Sequence, residues 1–244
     1  MIILAAGKGT RMGSTLPKPL VEVAGRPMVE HLLESVRDTE IDERPILVVA
    51  PDSVDAFNEI CRDQVCEYVV QREQLGTGDA VRAAQEASNG AENVIVLYGD
   101  HPFLSAEMII QLHEMHTDQT PFVSMITTKV PNYKKEYEAF ERWGRILRDE
   151  VGHVAGIREA KDCTEEELEI LEVNPALYAF NAAWLWERLP ELSNKNANSE
   201  YYLTDLIEMA IDEGGEIITT LADAMEVIGV NTPEDLQVAE KAYG

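Results

Sequence analysis

The chain opens with a short apolar run that leads directly into a glycine loop. Residues 2–6 are typical of a buried β-strand, and Gly7 and Gly9 follow at once. Because glycine has no side chain, such a loop can bring its backbone N–H groups close to a polyphosphate. Arg11 and Lys18 add two positive charges beside the loop. The first twenty residues therefore predict a strand and loop that bind phosphate.

The loop does not match either of the two common phosphate-binding motifs. A Walker A loop has the form Gly-x-x-x-x-Gly-Lys-[Ser/Thr], whereas Gly7-Lys8 is followed here by Gly9. A dinucleotide fingerprint has the form Gly-x-Gly-x-x-Gly, whereas position 12 is Met and Gly13 lies one residue late. The loop is therefore expected to belong to another class of phosphate-binding protein.

Strand-like and helix-like segments alternate through the first half of the chain. This alternation predicts an α/β fold with a parallel sheet and right-handed crossovers. Ligands of such sheets lie at the carboxyl ends of the strands, so we expect Gly7, Gln71, Gly76 and Asp100 along one edge. The predicted strands are residues 2–6, 45–50, 68–71 and 93–98, and the predicted helices are residues 28–37, 53–61 and 77–87.

The second half of the chain is less regular. His113 and His116 lie three residues apart, whereas a helical zinc motif needs four, so we expect both on the exposed face of a helix. No linker, low-complexity segment or repeat interrupts the sequence, and we expect one domain, residues 1–244. The further predicted elements are strands at 122–129, 145–148, 153–159, 173–180, 216–220 and 226–228, and helices at 182–189, at 200–212 with Ser199 as cap, and from Thr232 onward.

The chain is strongly acidic. Among its 244 residues, 45 Asp and Glu stand against 20 Lys and Arg, which gives a formal net charge of -25. Proteins that bind duplex nucleic acid or anionic membranes present a basic face, so we expect neither as a partner. An acidic protein that binds a triphosphate must cluster its cations locally, and we expect it to use a divalent ion such as Mg²⁺.

The cysteines and the apolar runs indicate in which cellular compartment the protein is found. Cys61, Cys66 and Cys163 are odd in number and form no Cys-x-x-Cys pair, so we expect reduced thiols. No apolar run approaches the length of a membrane span, and no basic segment precedes the first apolar run. We therefore expect a cytoplasmic protein. The sequence leaves the oligomeric state open.

Longer patterns resemble those of sugar-1-phosphate nucleotidyltransferases. Residues 7–12 read Gly-Lys-Gly-Thr-Arg-Met and precede Pro17-Lys18, Tyr98-Gly99-Asp100 ends an apolar run, and Gly229-Val230-Asn231 lies near the C-terminus. The resemblance is strongest to the pyrophosphorylase (uridylyltransferase) half of the bifunctional bacterial enzymes that make UDP-N-acetylglucosamine. The hexapeptide repeats of their acetyltransferase domain are missing from this sequence, so acetyl transfer is not expected.

This resemblance implies a fold and a division of the chain. The implied fold is a Rossmann-like α/β fold of the nucleotide-diphospho-sugar transferase type, with a mostly parallel sheet and an inserted sugar-binding subdomain. Residues 1 to about 120 would form the nucleotide-binding half and residues 121 to 231 the sugar-binding half. Residues 232–244 would form a C-terminal helix.

The resemblance assigns the nucleotide to the glycine loop and to residues 71–78. Gln71 would pair with a uracil edge through one donor and one acceptor, and a helix that starts at Gly76 would offer unpaired N–H groups. Asp79 follows where the family has histidine, which changes a charge near the base. The implied nucleotide-binding residues are Leu4, Ala5, Ala6, Gly7, Lys8, Gly9, Thr10, Gln71, Gly76 and Thr77.

The resemblance also implies which groups act on the phosphates. Arg11 would hold the leaving β- and γ-phosphates, and Lys18 would stabilise the charge that grows at the α-phosphate. Asp100 and Asn231 would bind Mg²⁺ through their side-chain oxygens. The candidate catalytic residues are therefore Arg11, Lys18 and Asp100, and the candidate metal ligands are Asp100 and Asn231.

The sugar 1-phosphate is assigned mainly to the second half. The family usually has Thr-Gly after the residue that matches Asn174, whereas this chain has Pro175-Ala176, which leaves the contacts to an acetamido group open. The implied substrate-binding residues are Tyr98, Gly99, Gly144, Glu159, Asn174, Tyr202, Thr204 and Asn231.

Taken together, the resemblance implies the transfer of a uridylyl group from UTP to N-acetylglucosamine 1-phosphate or a related sugar phosphate. Two alternatives stay open at this point. The protein could use glucose 1-phosphate or another pair of sugar phosphate and nucleoside triphosphate. It could also be a non-catalytic sensor that binds a nucleotide sugar without turnover.

Overall fold

The computed structural model describes residues 1–7, 9, 12–14, 16–196 and 198–243, with Tyr243 described by its backbone. A ten-stranded β-sheet forms its centre, and β2 and β3 form a separate two-stranded sheet. The strands are β1 (Ile2–Leu4), β2 (Glu22–Val23), β3 (Arg26–Pro27), β4 (Ile46–Val49), β5 (Glu67–Val70), β6 (Asn93–Tyr98), β7 (Val123–Lys129), β8 (Arg145–Arg148), β9 (Val154–Arg158), β10 (Glu172–Val173), β11 (Tyr178–Asn181) and β12 (Ile217–Ala222). The helices are α1 (Met28–Asp38), α2 (Val54–Ile60), α3 (Thr77–Ala83), α4 (Ala106–Gln119), α5 (Glu165–Leu168), α6 (Ala182–Arg188), α7 (Asp205–Asp212) and α8 (Pro233–Tyr243).

The strands of the first half are parallel. They lie in the order β5, β4, β1, β6, and Leu4 is opposite Val48 on one side and Tyr98 on the other. The chain therefore leaves these strands at one edge of the sheet, as predicted. All four predicted strands are present, with small shifts at their ends.

The second half adds antiparallel strands to this parallel set. β11 lies between β6 and β7 and is antiparallel to both, while β12 runs parallel to β7. Beyond them, β10, β8 and β9 extend the sheet through antiparallel pairs. The predicted Rossmann-like α/β class is confirmed, and the antiparallel extension carries the part of the chain that looked irregular in sequence.

Helices cover both faces of the sheet. Alternate residues of a strand point to opposite faces, so Ile3 packs with Leu32 of α1 and Ile109 of α4, whereas Leu4 packs with Val81 of α3. All of these side chains are buried. Among the described residues, no helix combines the length and the apolar character that a membrane crossing requires.

One predicted strand is interrupted. Residues 173–180 were expected to form a continuous strand, but β10 ends at Val173 and β11 begins at Tyr178. Pro175 has no N–H to donate, and Ala176 has a left-handed φ of 64°, stabilised by a hydrogen bond from its N–H to Asn174 Oδ1 (2.9 Å). The Leu177 carbonyl accepts from the Ile126 N–H (3.0 Å), so β10 and β11 still line one edge of β7.

Two predicted helices have other bounds than expected. α7 begins at Asp205, not at residue 200, and Ser199 has a left-handed φ of 56° and does not cap it. The N–H groups of Tyr201 and Leu203 donate to Leu75 O and Thr77 Oγ1 instead, which keeps this segment extended. α3 ends at Ala83 rather than at residue 87, because the chain continues in tighter turns.

Two further predictions were wrong. Residues 226–228 form no strand, because the N–H groups of Met225 and Glu226 donate to the side chain and the carbonyl of Asp223 in a turn. His116 does not lie on an exposed face: it is buried beside Ser124, whose Oγ lies 3.0 Å from its Nδ1. Burial lowers the pKa of His116 to about 4, so the ring is neutral near pH 7.

Candidate active site

A cleft of about 690 Å³ lies at the carboxyl ends of the parallel strands. It brings together most of the residues that the sequence had singled out, although their roles stay predictions. Gly99 is the exception among the described residues: its N–H donates to Leu4 O, and it packs against Pro19. Lys8, Thr10 and Arg11 lie outside the described residues. The predicted residues that line the cleft are Leu4, Ala5, Ala6, Gly7, Gly9, Lys18, Gln71, Gly76, Thr77, Tyr98, Asp100, Gly144, Glu159, Asn174, Tyr202, Thr204 and Asn231.

Gly9 lies close against Lys18. Its φ is 57°, and a Cβ at this position would lie 2.8 Å from the Cβ of Lys18. A side chain would therefore collide with the lysine as well as strain the backbone. Gly7, by contrast, has open space around it. The close approach holds the stem of Lys18 at the floor of the cleft.

Three side chains from distant parts of the chain meet at one point, which we call the Lys18 cluster: Lys18, Asp100 and Asn231. Lys18 Nζ donates to Asp100 Oδ2 and, at 3.0 Å, to Asn231 Oδ1. Lys18 begins a 3-10 turn, Asp100 follows β6, and Asn231 precedes α8. Burial alone would raise the pKa of the Asp100 carboxyl, but the Lys18 ammonium, His101 and the hydrogen bonds to the carboxylate together hold the pKa below its usual value.

Asp235 holds Asn231 in position. The Asp235 carboxylate is almost fully buried and accepts hydrogen bonds from the N–H groups of Asn231 and Thr232, both at 3.0 Å. The Asp235 N–H donates in return to Thr232 Oγ1 (3.2 Å), which forms a reciprocal cap at the start of α8. Arg142 pairs with the other oxygen of Asp235 at 2.7 Å. Asn231 of the Lys18 cluster is thus connected through Asp235 to Arg142.

The segment around Gly76 is held by backbone contacts. Gly76 has a φ of 111°, and a Cβ there would lie 2.6 Å from Tyr201 O. The Gly78 N–H donates to the same carbonyl at 2.8 Å, and Thr77 Oγ1 accepts from the Leu203 N–H at 3.0 Å. The glycines therefore let residues 76–78 pair with residues 201–203. This pairing places Gly76 and Thr77, at the start of α3, in the wall of the cleft.

The opposite wall of the cleft carries groups that can bind hydroxyls. The Asn174 N–H donates to Gly144 O at 2.9 Å, and Asn174 Nδ2 donates to the Tyr178 hydroxyl at 2.7 Å. Burial raises the pKa of the neighbouring Glu159 carboxyl. Lys161 Nζ lies 3.4 Å from the Tyr202 hydroxyl. The wall thus offers acceptors, hydroxyls and one ammonium within one surface.

Several cleft residues were missed in the sequence. Arg142 and Trp143 directly precede the predicted Gly144, and Lys161 follows Glu159 by two residues. His101 is buried beside Asp100, and a Cβ on Gly229 would lie 2.8 Å from its Nε2. Closeness to a predicted residue was the one signal in the sequence that could have found them.

A family model described as the MobA-like NTP transferase domain matches residues 1–200. The chain belongs to the MobA-like NTP transferase family. The predicted nucleotidyltransferase class is therefore confirmed at the level of the family.

Curated relatives agree with the resemblance read from the motifs. The chain is 40% identical over 241 residues to the bifunctional protein GlmU of Heliobacterium modesticaldum, covering 98% of this chain and 50% of that protein. It is 39% identical to GlmU of Acidithiobacillus ferrooxidans (100% and 51% covered) and 35% identical to GlmU of Desulfotalea psychrophila (99% and 69% covered). The chain thus spans about half the length of the first of these relatives.

A solved structure supports the fold. A crystal structure from Bacillus anthracis, provisionally assigned as a glucose-1-phosphate thymidylyltransferase, superposes with a TM-score of 0.76. The two chains are 18% identical, and the match covers 99% of this chain and 93% of the other. Because the sequence identity is this low, the comparison supports a shared fold and nothing further.

Proposed function

We propose that this member of the MobA-like NTP transferase family transfers a uridylyl group from UTP to N-acetylglucosamine 1-phosphate. The observation that carries the proposal is the Lys18 cluster, which lies between the Gly76 segment and the wall that contains Glu159 and Asn174. A cation at this point can meet the phosphates of two substrates, with the base on one side and the sugar on the other. The similarity to GlmU proteins supports the choice of this reaction.

The proposed reaction needs no covalent intermediate on the protein. An oxygen of the sugar 1-phosphate attacks the α-phosphorus of UTP and forms a new P–O bond. The bond to the β-phosphate oxygen breaks, and pyrophosphate leaves with the bonding electrons. The protein then contributes by positioning both substrates and by stabilising negative charge. Lys18 is suited to the second task because its ammonium already lies in a cleft with little exposure to water.

The oxygen atoms of the Lys18 cluster are suited to hold Mg²⁺. Asp100 supplies a carboxylate and Asn231 an amide oxygen. Both oxygens accept a hydrogen bond from the same Lys18 nitrogen, so they lie close together. Magnesium in nucleotide sites commonly uses one or two protein oxygens together with phosphates and water. When bound, the ion would neutralise charge on the triphosphate.

The sugar could also lack an acetamido group. Pro175 and Ala176 line the cleft, and Ala176 adds a methyl group to a left-handed position in its wall. A bulkier wall at this point favours a smaller acceptor such as glucose 1-phosphate. The mechanism would stay the same, and the specificity alone would change.

The test is pyrophosphate release from UTP and Mg²⁺ with the 1-phosphates of N-acetylglucosamine, glucose, galactose and glucosamine. Release with N-acetylglucosamine 1-phosphate supports the proposal, and release confined to glucose 1-phosphate supports the second candidate. Binding of UDP-N-acetylglucosamine without release from any pair would contradict both and favour a sensor.

A matched pair of lysine variants tests the residue at the centre. Lys18→Ala should lower kcat by about 10²-fold or more, as expected for the loss of a group that stabilises transition-state charge. Lys241→Ala removes an exposed lysine from α8 and should leave kcat unchanged. Near-normal turnover of the Lys18→Ala protein would defeat the assignment.

A further inference from the structure

The side-chain amide of Gln71 is fixed in one orientation. The side chain is buried, and its Nε2 donates to Gly76 O at 3.1 Å and to Asp79 Oδ2 at 2.9 Å. A backbone carbonyl and a carboxylate can only accept, so the amide nitrogen must face them and the amide oxygen must face away. An amide nitrogen carries two hydrogens, and both are used by these two partners.

Asp79 is itself held in place. Its other oxygen accepts a charge-assisted hydrogen bond from Arg82, and its side chain is 12% exposed. The guanidinium of Arg82 in turn lies over the ring of Tyr201, with its Cζ 5.4 Å from the ring centre. Asp79 therefore cannot turn away from Gln71 without breaking an ion pair on the same helix.

The amide oxygen of Gln71, Oε1, is the acceptor that this side chain presents to the cleft. Gln71 is one of the residues that line it. Within the described part of the chain, Oε1 accepts no hydrogen bond, and it is not one of the fully buried unpaired atoms. The cleft is thus offered one acceptor and no donor by this side chain. The sequence had suggested one donor and one acceptor, and the contacts of Asp79 remove the donor.

We propose that Asp79 is a specificity-determining residue, which fixes Gln71 as a pure acceptor so that the cleft takes a pyrimidine with a ring N–H. Uracil and thymine present N3–H and can donate to Gln71 Oε1. Cytosine presents a lone pair at N3, which would face the Oε1 lone pairs. This inference rests on the proposed function for the location of the base, and it adds which residue makes the choice.

The experiment compares the binding of UTP and CTP by titration calorimetry, because these nucleotides differ in the base edge alone. The wild-type protein should bind UTP more tightly by about 10²-fold, since CTP loses one hydrogen bond and gains a repulsive pair of acceptors. In the Asp79→Asn protein the new amide can donate to Gln71 Oε1, so Gly76 O alone still favours the original orientation and the turned Gln71 amide becomes populated. The ratio of the two Kd values should fall to about 10 or less.

Two further variants serve as a control and as a replacement for Asp79→Asn. Asp63→Asn makes the same chemical change at a side chain that is 92% exposed, and it should keep the wild-type ratio. If Asp79→Asn does not fold, as judged by its melting curve, Asp79→Ala replaces it: this change removes the carboxylate that accepts from Gln71 Nε2, and the preference for UTP should fall there as well.

The outcomes separate this inference from the proposed function. A wild-type preference for UTP that collapses in Asp79→Asn supports the inference, even if the variant keeps its kcat with UTP. A preference that survives in Asp79→Asn overturns the role of Asp79 and leaves uridylyl transfer standing. Equal binding of UTP and CTP by the wild type overturns the inference, and binding of neither overturns both proposals.

Discussion

The two sides of the cleft are built from different kinds of contact. On the N-terminal side, residues 4–101, the loops that face the cleft are shaped by glycines and by backbone hydrogen bonds. Gly9 permits contact with Lys18, and Gly76 permits contact with the backbone of Tyr201. These two backbone contacts need a small residue, and they do not depend on the length or charge of a particular side chain.

The C-terminal side, residues 142–204, is shaped by buried polar side chains. Arg145 is fully buried, and its guanidinium donates to the carbonyls of Trp143, Glu141 (3.0 Å) and Leu168 (3.4 Å). Its Cζ also lies 4.6 Å from the ring centre of Tyr133. One side chain thus ties the loop before Gly144 to α5 and to β8. Mutations on the two sides should therefore have different effects, on the backbone of one side and on a buried polar network on the other.

Arg145→Ala tests the C-terminal side and should have the largest effect. The change leaves three backbone carbonyls without their donor and opens a cavity where a fully buried side chain stood, so the free energy of unfolding should fall by about 3–5 kcal/mol. Urea unfolding measures the loss. Arg44→Ala is the control, because Arg44 is 66% exposed and its pair with Glu67 is long (3.7 Å). A loss below about 1 kcal/mol at Arg145 would refute the contrast between the two sides.

Gly76→Ala tests the N-terminal side and should have a smaller effect on stability. The new Cβ would be strained by the φ of 111° and would also collide with Tyr201 O, at a combined cost of about 3 kcal/mol. Because the shift displaces the start of α3, KM for the nucleotide should rise as well.

Gly90→Ala separates the two causes of that effect. Gly90 has a similar φ of 91° but open space around it, so alanine there should cost about 1 kcal/mol, from backbone strain alone. Equal losses at Gly76 and Gly90 would show that the contact with Tyr201 contributes nothing, and the backbone-based account of this side would then be wrong.

The same contrast explains which parts the sequence could predict. The parallel strands, the glycine loop and the position of Asp100 follow from short apolar runs and from local motifs, and β6 was predicted to the residue. The break at Pro175 and Ala176 and the extended segment before α7 depend on partners far away in the sequence. Tyr201, for example, pairs with Leu75, a contact that no local pattern contains.

The cleft shows this limit in its details. Lys18, Asp100 and Asn231 could be named from motifs, and the structure brings them into contact. The orientation of Gln71 could not be predicted, because it depends on the carboxylate of Asp79 and on a carbonyl. Arg142 and Asp235 could not be found either, since their ion pair joins residues 93 positions apart.

Ala176→Gly should have the smallest effect, and of the opposite sign. Ala176 holds a left-handed φ of 64°, which costs alanine about 1 kcal/mol, while glycine would cost roughly 0.4–1 kcal/mol through the entropy of the unfolded chain. The net change should be a gain of at most about 0.6 kcal/mol in urea unfolding. Ala83→Gly, in α3, is the control and should lose about 1 kcal/mol. A loss of the same size at Ala176 would mean that its backbone is not strained. Ala176 would then be unlike Gly76, where the backbone conformation itself requires glycine.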